Sequence, residues 1–158
     1  MGRIGGIMSI TPGMFSSNSD EWETPAHLFR ELDGRYHYTL DAASTHENAK
    51  CDRHFTAEEN GLLMPWGGER VFCNPPYGRA IRDWVAKCAG ETEAFVTLLI
   101  PARTDTEYFH DYIYRKPNVR IEFLRGRLRF EQGGVATGTA PFPSMLVYFN
   151  ERLLEEES

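Results

Sequence analysis

Asn74-Pro75-Pro76-Tyr77-Gly78 follows directly on the short apolar run Val71-Phe72-Cys73 and precedes residues 79–89, a segment with helical periodicity. The apolar run reads as a buried strand. The tetrapeptide therefore lies on a loop at the carboxyl end of a strand, where open α/β sheets place their ligands. Two successive prolines remove two backbone N–H donors and fix two φ angles. Asn74 is pushed out of the α region by the proline after it. What remains is a stiff loop of acceptors, namely the Asn74 side-chain oxygen and the carbonyls of Pro75 and Pro76, with the Tyr77 ring beside them.

Such a loop suits chemistry at an exocyclic amine on a flat ring. The lone pair of that amine is delocalised into the ring, so it is a poor nucleophile. Acceptors that take hydrogen bonds from its two N–H groups favour a pyramidal nitrogen and stabilise positive charge as a bond forms, which is electrostatic preorganisation. Tyr77 can stack on the ring, an interaction worth roughly 1–3 kcal/mol per base. The plain alternative is a proline-stiffened structural turn.

On the carboxyl side, Ile81, Trp84, Val85 and Cys88 form a helical stripe that Gly90 ends, with Arg79, Arg82 and Lys87 on its solvated face and Arg79 close to the loop. Residues 94–100 are continuously apolar and predict a central, parallel strand. Arg103 follows at its carboxyl end, and Thr104 or Asp105 can cap a helix with Phe109, Tyr112 and Ile113 inside. Residues 119–123, 128–130 and 144–149 are further strand candidates. Between the last two, residues 131–143 are loaded with Gly, Thr and Pro.

On the amino side, residues 69–73 complete the strand before the loop. Asn60-Gly61-Leu62 reads as an Asn-Gly turn. Residues 46–60 are polar and irregular and give no second strand. Residues 36–40, aromatic and β-branched, predict a strand ending in Asp41-Ala42-Ala43-Ser44. An acid at a strand's carboxyl end followed by small residues fits the first strand of a nucleoside-binding sheet, because small side chains let the backbone approach a ligand. A capping Asp is the plainer reading. Thr24-Pro25 predicts a helix start, with Thr as N-cap and Pro at the first helical position, and Leu28, Phe29 and Leu32 as its apolar face up to Gly34. Residues 1–20 read as a flexible arm, 21–150 as a single domain, and 151–158 as an acidic tail.

The chain has 158 residues, 41% of them apolar, enough for one domain with a real core. No apolar run is long enough to span a membrane, and residues 1–6 hold no signal-peptide core. Three scattered cysteines, Cys51, Cys73 and Cys88, predict reduced thiols and a cytoplasmic location. Five histidines lack ligand spacing, so no metal is expected. The formal charge of −6 argues against a general nucleic-acid coat. Yet Lys116, Arg120, Arg125, Arg127 and Arg129 face Glu122 alone over residues 116–130, a local basic stripe that permits a small DNA footprint.

Asn-Pro-Pro-Tyr resembles the signature of S-adenosylmethionine (SAM)-dependent amino-methyltransferases. In order, Trp-Glu-Thr-Pro, Leu-Asp-Ala-Ala-Ser, Asn-Gly-Leu, Asn-Pro-Pro-Tyr-Gly, Pro-Ala-Arg-Thr-Asp-Thr, Gly-Arg-Leu-Arg-Phe and Pro-Phe-Pro-Ser-Met resemble the phage-type DNA N6-adenine methyltransferases, the Dam-like family. The resemblance covers about residues 22–149. It implies an α/β fold, a compact Rossmann-like methyltransferase sheet, mostly parallel with a late antiparallel strand. It implies SAM as methyl donor, no metal, DNA as substrate, and a phage or prophage protein working in a bacterial host. Asn74, Pro75, Pro76 and Tyr77 would be catalytic. Trp22, Thr24, Pro25, Asp41, Ala42, Ala43 and Asn60 would hold the cofactor, with Asp41 facing its ammonium group. Arg79, Arg103, Arg125, Arg127 and Arg129 would contact DNA, and residues 131–143 would read a short site. Two features depart from the family: Asn60 stands where an acid is usual, and there is no separate recognition domain. A methyltransferase acting on RNA or protein glutamine, and a non-catalytic SAM- or DNA-binding protein, are the alternatives. The oligomeric state is not legible.

Overall fold

In the computed structural model, which describes residues 22–156, the strand before Asn74 lies inside a five-stranded sheet of order β1-β2-β3-β7-β4. The strands are β1 (Leu40–Asp41), β2 (Arg70–Cys73), β3 (Phe95–Pro101), β4 (Val119–Phe123) and β7 (Ser144–Phe149). β1, β2 and β3 pair in parallel, while β7 runs antiparallel to both β3 and β4. Four strands thus share one direction, and the late strand is inserted against it. β5 (Glu131–Gln132) and β6 (Val135–Ala136) form a separate hairpin. The chain is a mixed α/β fold. The expected arm at residues 1–20 lies outside the described residues.

Alternation along the strands sorts the core into two layers, because successive side chains point to opposite faces. Val71, Cys73, Val96, Leu98, Ile100, Met145 and Val147 lie on one face with Trp84, Val85 and Cys88 of α2 (Ile81–Gly90) and Phe109 of α3 (Glu107–Tyr112). Phe72, Phe95, Leu99, Leu146 and Tyr148 lie on the other with Phe29, Leu32 and Tyr36 of α1 (Ala26–Tyr36). β3 and β7 are buried at every position, as central strands covered on both sides should be. Beyond β7, Asn150 turns with φ 66°, α4 (Arg152–Glu156) follows, and Glu151 pairs with Arg120 at 2.8 Å.

Several local expectations are corrected. α1 runs through Gly34 to Tyr36 and ends at His37 in the left-handed region, because Tyr36 belongs to the apolar face under the sheet. The strand expected at 36–40 shrinks to β1, since the Asp33 carboxylate accepts from the Tyr38 N–H. Pro25, not Thr24, is the residue flanking α1, and the Glu131 carboxylate accepts from the Ala26 N–H at 2.8 Å. A side chain remote in sequence thus satisfies the orphan donor. The second strand that residues 46–60 do not provide is replaced by one parallel bridge between Asp41 and His54. Residues 128–130 are not a strand: the Leu128 and Phe130 carbonyls accept from Ala140 and Thr137 across an irregular loop. Thr106, rather than Thr104 or Asp105, caps α3 through its hydroxyl. Lys87 is not on a solvated face. Its ammonium bonds the Met64 carbonyl at 2.7 Å, pairs with Glu91 at 2.6 Å and lies over the Trp66 ring.

Candidate active site

The loop at the end of β2 meets an extended strap, residues 22–25, that leads into α1. The Asn74 amide nitrogen donates to the Trp22 carbonyl at 2.5 Å and to the Thr24 hydroxyl oxygen at 2.9 Å. The Trp22 carbonyl can only accept, so it fixes which end of the amide faces it. The other end, Asn74 Oδ1, is buried without a hydrogen-bond partner among the described residues. Buried acceptors are nearly always paired, and an orphan calls for an explanation such as a missing ligand.

Asn74, Pro75 and Pro76 line one end of a cavity of about 530 Å³, within the usual range of small-molecule sites. Trp22, Thr24, Asp41, Ala42, Ala43 and Asn60 line it as well. Pro25 does not; it sits behind, its carbonyl accepting from Phe29. The strap, the end of β1 and the end of β2 therefore converge, as the carboxyl edge of a parallel sheet requires.

Asp41 is almost wholly buried, at 3% exposure. Its carboxylate accepts from the backbone N–H groups of Lys50 at 2.9 Å and Ala43 at 3.3 Å. Desolvation outweighs those bonds and pushes its pKa up from 3.8 to about 6. A carboxylate this poorly solvated gains strongly from a cationic partner. Asn60 takes φ 58°, and its side-chain oxygen accepts from Leu62 at 3.1 Å, capping the single 3-10 turn Gly61–Leu63. It is both an Asn-Gly turn and part of the cavity wall.

Tyr77 is placed differently from the stacking role expected of it. It is absent from the cavity wall, its hydroxyl donates to the Leu99 carbonyl of β3 at 2.9 Å, and burial pushes its pKa well up. Its ring packs edge-on against Phe130 and Phe142, at 6.1 and 5.8 Å. The hydroxyl is therefore in use as a tie between the loop and β3.

Of the arginines, Arg79, Arg103, Arg125, Arg127 and Arg129 are all exposed. Arg103 lies over the Phe142 ring at 6.0 Å, on the Tyr77 side of the loop, and Arg127 reaches the Ala140 carbonyl at 3.5 Å. Arg120, part of the basic stripe in the sequence, is bound to Glu151 and covers Tyr148 at 4.1 Å.

Several wall residues escaped the sequence reading, Ser44, Gly61, Trp84 and Glu23 among them. The Ser44 hydroxyl is buried without a partner among the described residues. At Gly61 a Cβ would run into the Ala42 carbonyl oxygen and crowd the Trp84 ring, so only glycine lets that turn close on the cavity floor. Trp84 looked like pure core. Glu23 sits inside the Trp-Glu-Thr-Pro motif, the one signal that could have found it. Among the described residues no group of three or more His, Cys, Asp or Glu side chains could hold a metal ion, and no helix is long and apolar enough to cross a membrane.

A sequence model of the family described as DNA N-6-adenine-methyltransferase (Dam) matches residues 13–157. A DNA N-6-adenine-methyltransferase of Escherichia phage T1 is 37% identical over 94 residues, covering 57% of this chain and 39% of the phage protein. The protein YfdM of Escherichia coli K12, named as a candidate methyltransferase, is 36% identical over 66 residues, 37% of this chain and 71% of its own length. The match thus spans well under half the length of the phage relative.

Proposed function

The chain belongs to the DNA N-6-adenine-methyltransferase (Dam) family, and from that we propose that it transfers a methyl group from SAM to the N6 amine of adenine in DNA. The observation that carries this reading is Asn74 Oδ1, a buried acceptor with no partner among the described residues, held in one orientation by the strap. An adenine N6 amine brings the N–H donors that it lacks.

The residues present fit the methyl donor. The cavity has a suitable volume, the poorly solvated Asp41 carboxylate suits an ammonium group, and the Ser44 hydroxyl is left over for a polar group of the ligand. Trp22, Thr24, Asp41, Ala42, Ala43 and Asn60 would hold it, and Pro25 fixes where α1 begins behind them. When bound, SAM supplies an electrophilic methyl group on a sulfonium. The protein supplies position and fixed dipoles.

The target adenine has to leave the duplex, because pairing and stacking block its amine. Asn74 Oδ1 and the Pro75 carbonyl then accept from N6. This favours a pyramidal nitrogen and stabilises the positive charge that develops there. Pro75 and Pro76 keep the loop stiff, so little reorganisation is needed when charge appears. Tyr77, tied to β3 and wedged by Phe130 and Phe142, holds the far end of the loop. Arg79, Arg103, Arg125, Arg127 and Arg129 supply phosphate contacts, and the β5–β6 hairpin with its flanking loop reads a short site. The β1–β3 half of the sheet is read as the compact Rossmann-like methyltransferase core of one domain, and the enzyme as working in the cytoplasm of a bacterial host.

The test is competition for one labelled methyl donor. With radiolabelled SAM and equal masses of duplex DNA, RNA and bacterial protein, label should enter the DNA. Label in RNA or protein would transfer the reading to that substrate, and SAM binding without transfer to any of them would leave a non-catalytic binder.

A further inference from the structure

Glu23 does more than line the cavity. Both of its carboxylate oxygens are committed to the tip of the β5–β6 hairpin, where they accept from the N–H groups of Gly133 at 3.2 Å and Gly134 at 3.3 Å. The same carboxylate accepts at 3.4 Å from the side-chain amide of Asn48, another residue of the cavity wall. Its backbone pairs with Glu131 in both directions, at 3.2 and 2.9 Å. Glu131 in turn bonds the Ala26 N–H. The hairpin is thus tied to the strap at its base and at its tip, and both ties pass through residues 23–26.

At its base the hairpin is also anchored by the buried Phe130, to whose carbonyl Thr137 bonds, but its tip has little else to hold it. Each strand is two residues long, Gly133 and Gly134 form the turn with φ 62° and 82°, and Val135 is 69% exposed. A two-stranded hairpin of this size is marginal alone in water. The position of its tip therefore follows the strap. The strap also holds Asn74 and forms one wall of the cavity, so anything that orders the strap orders the hairpin.

We infer that Glu23 is a positioning residue that couples the two halves of the site: occupancy of the cavity by a cationic nucleoside fixes the hairpin for duplex DNA, and duplex on the hairpin fixes the cavity wall. This rests on the reading of the cavity as the SAM site and of the hairpin as a DNA-contacting element. Such coupling is reciprocal, and each ligand must raise the affinity of the other by one common factor, typically about 5- to 150-fold.

The experiment measures that factor in the full chain, with sinefungin as an unreactive cationic analogue of SAM and a mixed-sequence duplex at low salt. Sinefungin affinity is titrated with and without duplex, and duplex affinity with and without sinefungin. The wild-type ratios should agree and exceed unity. Glu23→Ala should bring both ratios close to one, and Glu23→Gln should retain part, because its amide oxygen can still accept from one tip N–H. A ratio is used because it is insensitive to any loss of intrinsic affinity. Amide hydrogen exchange on the wild type needs no variant, and protection at Gly133 and Gly134 should rise when sinefungin is added. Wild-type ratios of one, an undiminished ratio in Glu23→Ala, or tip amides indifferent to sinefungin would each overturn the coupling while leaving the methyltransferase reading intact. Failure of the wild type to bind sinefungin or duplex at all would overturn both.

Discussion

Asn74 does two jobs with one amide. Its nitrogen holds the strap and its buried oxygen has no hydrogen-bond partner among the described residues, so truncation removes both groups. Asn74→Ala should lower the single-turnover rate by roughly 100–1,000-fold, the size seen when one preorganised hydrogen-bonding group is removed. It should also weaken SAM binding, because Trp22 and Thr24 lose their anchor; calorimetry on the same preparation separates the two effects. Asp41 gives a pH signature. Its pKa is higher in the folded protein than in the unfolded chain, so the native state holds the proton more tightly. Stability should therefore fall as pH rises between 3.8 and about 6, and this contribution should vanish in Asp41→Asn. SAM affinity should run the other way, rising through the same window as the carboxylate ionises opposite the ammonium, and flattening above it. Melting temperature and affinity measured across that range check both signs. Asp41 and Asn74 were legible in the sequence because each ends a strand in an unusual way. Ser44 and Gly61 were not, since a lone serine and an Asn-Gly turn occur wherever a chain bends.

The loop of residues 74–77 is set by what lies on either side of it. β2 delivers Asn74, and Tyr77 fastens the loop to the neighbouring strand through Leu99. Tyr77→Phe should cost about 0.5–1.5 kcal/mol of stability, the net worth of one hydrogen bond, read as a shift in the urea midpoint with the slope unchanged. An unshifted midpoint would show that the hydroxyl does nothing. Elements with strong local signals were legible: the apolar run of β3, the helical stripe of α2, and β7 as a late strand. Three of the misses share one cause, which is that a remote partner decided the local geometry. The face of Tyr36 under the sheet prolongs α1, and the single bridge of His54 to Asp41 replaces a strand. The Glu131 carboxylate takes the N-terminal donor of α1 that Thr24 was expected to satisfy, because Thr24 is turned to Asn74. None of these partners is near in sequence.

Across the molecule, the proposed function asks an acidic protein to bind a polyanion with a small set of arginines. Arg120 is already neutralised by Glu151, so the proposed footprint rests on Arg79, Arg103, Arg125, Arg127 and Arg129, all exposed. Affinity for duplex should fall steeply with salt, and Arg125→Gln or Arg129→Gln should each reduce the log–log slope by about 0.9, the value for one phosphate contact on B-form DNA. The central claim is the identity of the product. Duplex DNA lacking prior methylation, incubated with the protein and SAM, is digested to nucleosides and resolved by mass spectrometry. N6-methyldeoxyadenosine should accumulate with the wild type and be nearly absent with Asn74→Ala; N4-methyldeoxycytidine, or no methylated nucleoside from a protein that binds both SAM and DNA, would contradict the account.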